Sequence, residues 1–182
     1  MNADIIKSAA TKLELLNIVL HEAQLARNPE HENPSNYPAS IVQQNKLVVE
    51  AEEATYQADS KRIKIFRVYV SLGKRAVEEL AEHTEQAGQK KAKIFFTVEA
   101  TFRVDYLMKA KLTEEEIREF SQNNAVHNVW PFWREHVYEV ARKAELPRLS
   151  VPLMRMSKKS NHKQSSKSKK NVKKSSIRFS KK

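Results

Sequence analysis

The 182 residues hold 40% hydrophobic side chains, enough for one domain with a buried core, and carry 33 Lys and Arg against 22 Asp and Glu, a net charge of +11. The absence of cysteine excludes disulfides, thiolate zinc sites and cysteine nucleophiles, and two glycines, Gly73 and Gly88, leave no room for a phosphate-cradling loop or a dinucleotide fingerprint. The excess charge sits at one end: residues 157–182 contain eleven Lys and Arg and no acid, so residues 1–156 keep 22 basic against 22 acidic side chains.

Residues 1–12 have no apolar stretch behind a basic start and are expected to form a flexible N-terminus without a secretory signal. No apolar run approaches a bilayer-spanning length, so a soluble, cytoplasmic protein is expected. Residues 13–25 and 46–58 carry β-type stretches with weak alternation, and helix remains an alternative for either. Between them, 28–44 holds Pro29, Pro34 and Pro38 in a polar setting and reads as an extended crossover.

In the next stretch, Ile63 and Ile65 start an alternation that changes phase to Phe66, Val68, Val70 and Leu72, which predicts a strand with a bulge or bend. Residues 74–92, rich in Ala, Glu, Gln and Lys, are expected to be partly helical. Over Ile94–Met108, Ile94, Phe96, Val98, Ala100, Phe102, Val104, Tyr106 and Met108 fall on alternate positions with Thr97, Glu99, Thr101, Arg103 and Asp105 between them, the pattern of a strand with one buried face.

Thr113 and Glu116 have capping-box spacing and open a short helix. A longer amphipathic helix follows, with Val126, Val129, Trp130, Trp133, Val137, Val140, Ala141 and Ala144 on one stripe. Pro131 inside that stripe predicts a kink or a helix start close by. Leu146-Pro147 ends the helix, and Leu149 and Val151 pack as a short extended return. Residues 157–182 offer only Val172, Ile177 and Phe179 as apolar surface and are expected to be a disordered basic tail. The expected organisation is therefore an N-terminus at 1–12, an α+β domain over 13–156 in which the long helix covers an antiparallel sheet, and a Lys/Ser-rich tail at 157–182.

No catalytic pattern stands out. The six histidines show no zinc spacing, and the carboxylate pairs Glu52-Glu53 and Glu114 to Glu116 fall on solvated faces or in a helix first turn. No metal, cofactor or enzymatic activity is expected; the chain reads as a binder of other macromolecules. Trp130 and Trp133, on the apolar stripe, point to core or a subunit interface, and Phe132, off the stripe, to an interface.

The helix start Asn128-Val129-Trp130-Pro131-Phe132-Trp133-Arg134-Glu135 and the return Leu146-Pro147-Arg148-Leu149-Ser150-Val151 resemble the SecB family of export chaperones. Ile18-Val19-Leu20-His21-Glu22-Ala23-Gln24-Leu25 resembles that family's first strand more loosely, and the similarity spans roughly residues 13–154. The resemblance implies a four-stranded antiparallel sheet packed by one long helix, assembled as a dimer of dimers. It also implies an ATP-independent holdase for non-native polypeptides, serving protein export through a SecA-type motor or the control of a toxin-antitoxin partner.

Glu22 matches one acidic position that the family uses against SecA, whereas Ala26 occupies the place of the other. Beyond Met156 the basic tail stands where the family has a second amphipathic helix and an acidic end, and 74–92 is longer than the usual hairpin. Tyr37, Ile41, Val42 and Tyr56 are the candidate client contacts; a role in pinning the crossover to its own sheet is equally compatible with them. In the tail, Lys158, Lys159, Lys167, Lys169, Lys170, Lys173, Lys174 and Arg178 form an electrostatic arm suited to nucleic acid, an anionic membrane or an acidic protein. The alternative function is accordingly a nucleic-acid or ribosome-binding protein that uses this arm.

Overall fold

The structure, a computed structural model, describes residues 2–31, 37–38, 41–58, 61–79 and 93–154. Ala3–Lys12 forms α1, followed directly by strand β1 (Leu13–Arg27), a 3-10 turn at Pro29–His31, and strands β2 (Ile41–Ala58), β3 (Lys61–Glu78) and β4 (Ile94–Met108). Then come α2 (Glu114–Glu119), a π-helical turn (Phe120–Ala125) and α3 (Val126–Lys143). The four strands make one antiparallel sheet in the order β1-β4-β3-β2.

The buried sheet face follows from the period-two pattern of the central strands. On β4, Phe96, Val98, Ala100, Phe102, Val104 and Tyr106 are buried, and on β3 Phe66, Val68, Val70, Leu72 and Ala76 lie beside them in register. Over this face α3 lays Val126, Val129, Trp133 and Val137, while Phe120 from the π-turn meets Tyr106 with ring centroids 5.1 Å apart. Asn128 donates to the Tyr106 hydroxyl at 3.0 Å, and burial pushes that phenol up to about 12. Leu149 and Val151 of the return are buried, and Arg134 and Tyr138 both donate to the Val151 carbonyl.

Several expectations change. Residues 3–12 are not a flexible lead: they form a helix that buries Ile6 and Ala9, because it has a hydrophobic face and a capped start, with Asn2 accepting from the Asp4 amide. No register shift occurs at Ile65-Phe66; both residues are buried, on opposite faces, so the apparent change of phase marks a strand end packed on two sides. Residues 74–78, expected as part of a helical stretch, continue β3, since pairing with β2 and β4 outweighs their local propensity. The crossover is also shorter, because β2 already begins at Ile41.

α3 starts well before Pro131 and runs through it. The ring leaves the His127 carbonyl without its helical donor, and both residues are exposed, so solvent can satisfy it. The expected helical part of 80–92 and the disordered tail with its electrostatic arm lie outside the described residues.

Candidate functional site: open apolar edges beside a helix-covered sheet

β1 forms one edge of the sheet. Its register shifts between Leu15 and Asn17 and between Leu20 and Glu22, so Leu16 and His21 are extra residues. These two bulges bring Leu15, Ile18, Leu20 and Leu25 onto the face that α3 covers, opposite Tyr106, Val104, Phe102 and Val98. Because α3 lies over the middle of the sheet, Leu15, Leu20 and Leu25 remain 41–51% exposed. A groove opens between the strand and the helix, lined by Ile18, Leu20, Phe102, Phe132, Glu135 and His136. Burial holds the His136 imidazole below its ordinary pKa, and its ring stacks on Trp133.

β2 forms the opposite edge. By register with β3, Leu47, Val49, Ala51 and Glu53 face the helix side, while Val42, Val48, Glu50, Glu52 and Tyr56 face away from it. Val42, Leu47, Val48 and Tyr56 are all exposed. The return from α3 runs beside the start of this strand: Gln43 donates to the Arg148 carbonyl at 3.2 Å and accepts from the Ser150 amide at 3.1 Å. Lys74 is buried on the helix side with Asn45 Oδ1 at 2.9 Å, and desolvation depresses its pKa.

The face away from the helix is polar. Arg67 pairs with Asp105 at 2.7 Å and Glu52 at 3.5 Å, Arg103 pairs with Asp105 at 3.2 Å, and Lys46 pairs with Glu99 at 3.2 Å. The bond from Asp105 chiefly raises the Arg67 pKa. Among the described residues no group of His, Asp and Glu is placed to hold a metal ion, and no helix is long and apolar enough to cross a membrane.

The four residues expected to contact clients do not converge. Tyr37 is half-buried, its ring against Phe95 and Phe96, and Ile41 packs on the core, so these two pin the crossover to its own sheet. Val42 and Tyr56 are exposed on the other face, fourteen residues apart on one strand, or roughly 46 Å at strand rise. Tyr56 also belongs to the charge network, since Arg67 donates to its hydroxyl at 2.9 Å.

Glu22 is exposed on the polar face, in a shallow depression shared with Lys46, Glu99 and Thr101. Of the aromatic trio, Trp133 is core, Trp130 is half-buried with its indole N–H on the Pro152 carbonyl, and Phe132 is 44% exposed in the β1 groove. The exposed leucines of β1 and Leu47 were missed in the sequence because an exposed edge residue and a buried one look alike there. Only the two bulges reveal which face the β1 leucines take.

No family model and no curated protein matches the chain. Among solved structures it is similar to the Mycobacterium tuberculosis SecB-like chaperone Rv1957, solved in complex with a ChAD peptide from the Rv1956 HigA1 antitoxin. The two chains share 19% identity at a TM-score of 0.57, over 85% of this chain and 99% of that one. A protein of unknown function from Streptococcus agalactiae is more distant, with 12% identity and a TM-score of 0.42 over 77% of this chain and 96% of that one. The fold of this chain, a four-stranded antiparallel sheet covered on one face by a long helix, is the SecB-like fold.

Proposed function

We propose that this protein is an ATP-independent holdase chaperone of the cytoplasm, which binds non-native polypeptides through the apolar edges of its sheet and has no catalytic activity. The observation that carries the reading is the exposed set Leu15, Leu20 and Leu25 on one open edge and Leu47, Val48 and Tyr56 on the other, flanking a helix-covered face. Exposed apolar surface on a strand edge suits an unfolded chain, whose free backbone can pair with the edge while its side chains find apolar contact.

Phe132 and the β1 leucines also suit self-association into a dimer of dimers, which leaves the β2 edge for clients. The fold neighbour's antitoxin peptide supports a peptide client, and control of a toxin-antitoxin partner is the role we favour. Export through a SecA-type motor has weaker support, because Glu22 has Ala26 at the place of its acidic companion.

The test is suppression of aggregation of a chemically unfolded client by the full chain. Stoichiometric protein should prevent most of the light scattering, and Leu47→Asp with Val48→Asp should reduce that protection severalfold. No protection of any of several clients by the parent protein sinks the reading. A second reading, a nucleic-acid or ribosome-binding arm, is favoured by the eleven basic residues without an acid at 157–182. It requires duplex or ribosomal RNA binding that weakens steeply with salt.

A further inference from the structure

Among the described residues the outer side of β2 has no neighbouring strand, so its alternate N–H and C=O groups point away from the sheet for the length of the strand. Along the face away from the helix its side chains run Val48, Glu50, Glu52, Ala54, Tyr56, and on the helix side Leu47, Val49, Ala51, Glu53. Glu50 and Glu53 make no ion pair among the described residues. The edge therefore offers backbone pairing, apolar contact and uncompensated negative charge together.

The described chain ends at Met154, on this side of the molecule. Trp130 holds the Pro152 carbonyl beside the N-terminal half of α3, and Asn128 two residues earlier reaches Tyr106. The cross-strand row through Tyr106 runs to Leu15 of β1 on one side and through Phe66 to Glu53 of β2 on the other, which sets the level of the chain end along the strands. The return itself lies on the β2 flank of α3, since Gln43 of β2 holds both Arg148 and Ser150, whereas Phe132, Glu135 and His136 on the other flank face β1; residues 155–182 therefore start on the β2 side, at the level of Glu53.

Within that tail only one stretch has strand spacing: 175–181 reads Ser-Ser-Ile-Arg-Phe-Ser-Lys, with Ile177 and Phe179 two residues apart and Arg178 between them. In an extended conformation Ile177 and Phe179 fall on one face, and Ser176, Arg178 and Ser180 on the other. A linker of twenty residues, the length of 155–174, would span about 25 Å as a coil, which is ample to reach the strand.

We propose that residues 175–181 dock in cis on the open edge of β2 as a tethered fifth strand, with Ile177 and Phe179 against Leu47 and Val49, and Arg178 toward Glu50. The tether supplies a millimolar effective concentration, so weak pairing suffices to occupy the edge. A consequence, which rests on the holdase reading, is that the tail occupies the β2 edge until a client displaces it. The docking itself does not depend on that reading.

The absence of cysteine makes the test direct. Ser176→Cys in the full chain carries a single nitroxide label, and the methyl signals of Leu, Val and Ile are compared with the label active and reduced. The methyls of Leu47, Val48 and Val49 should lose most of their intensity while those of Leu15 and Leu25 on β1 keep theirs. Adding Ile177→Ser and Phe179→Ser, which leaves the charge unchanged, should restore the β2 signals. Equal attenuation at both edges, or attenuation that survives the double Ser change, means that the tail is merely tethered and overturns the proposal. Attenuation of isotope-labelled chains by tagged but unlabelled ones, mixed in equal amounts, places the segment on another copy and overturns docking in cis. Because the readout needs no client, it stands or falls separately from the aggregation assay.

Discussion

Glu116 shows how much one residue can organise. It is buried, it closes the capping box with Thr113, and it accepts from Ser8 at 2.8 Å and from Lys12 at 2.7 and 2.8 Å, which fastens α1 to α2. The Lys12 ammonium, then the Thr113 amide, draw its pKa down to about 2. A carboxylate depressed in the folded state stabilises fully above its usual 4.5, and that contribution is lost as pH falls from 4.5 toward 2. Glu116→Gln should cost about 1–3 kcal/mol in urea unfolding at pH 7, with the gap to the parent closing by pH 2.

Lys74 has the opposite sign. Desolvation lowers its pKa, so the unfolded chain holds the proton more tightly and the residue opposes folding at neutral pH, an effect that fades as pH rises toward 10.5. Lys74→Met should leave stability at pH 7 unchanged or raise it by about 1 kcal/mol, and any gain should shrink in alkaline urea titrations.

At the scale of elements, the ends of α3 explain its reach. Its start is a π-helical turn in which the Ser121 hydroxyl and the Asn123 amide donate to the Ile117 and Glu119 carbonyls, and it continues without a break into α3. At the other end Arg27 donates to the Ala144 carbonyl, a cation placed where the helix dipole favours one. Glu145 turns the chain in the left-handed region at φ 50°, and the Leu146 amide reaches back to the Ala141 carbonyl at 2.9 Å. A side chain there costs about 1–2 kcal/mol that glycine avoids. Glu145→Gly should therefore raise the midpoint of thermal unfolding, by calorimetry, with no change in the circular dichroism spectrum.

For the whole molecule, the two edges of one sheet differ in their surroundings. The β1 edge presents leucines beside Phe132, an apolar strip that a second copy can bury, whereas the β2 edge mixes apolar and acidic residues near the point where the described chain ends. Leu20→Asp, at a half-exposed position, should leave the fold intact and reduce the assembly size measured by light scattering. An unchanged mass would mean that β1 is not the contact between copies.

What the sequence determined by itself follows from local periodicity. The alternation from Phe96 to Tyr106, the stripe of α3 and the Thr113–Glu116 box all appear where they were expected, because one buried face leaves a regular mark on the residues that form it; at the start of β4 Ile94 is exposed and Phe95 buried instead, next to a register shift against β3. Where an element is read by more than its own neighbours, the sequence is silent. The buried side of α1 becomes legible only against α2, the facing of Leu15 and Leu20 depends on bulges defined by β4, and Tyr37 turns out to be packed on Phe96 while Val42 is exposed on the other face. Tertiary structure decided these because exposure belongs to what lies opposite a residue in space, and at an edge strand there is nothing opposite.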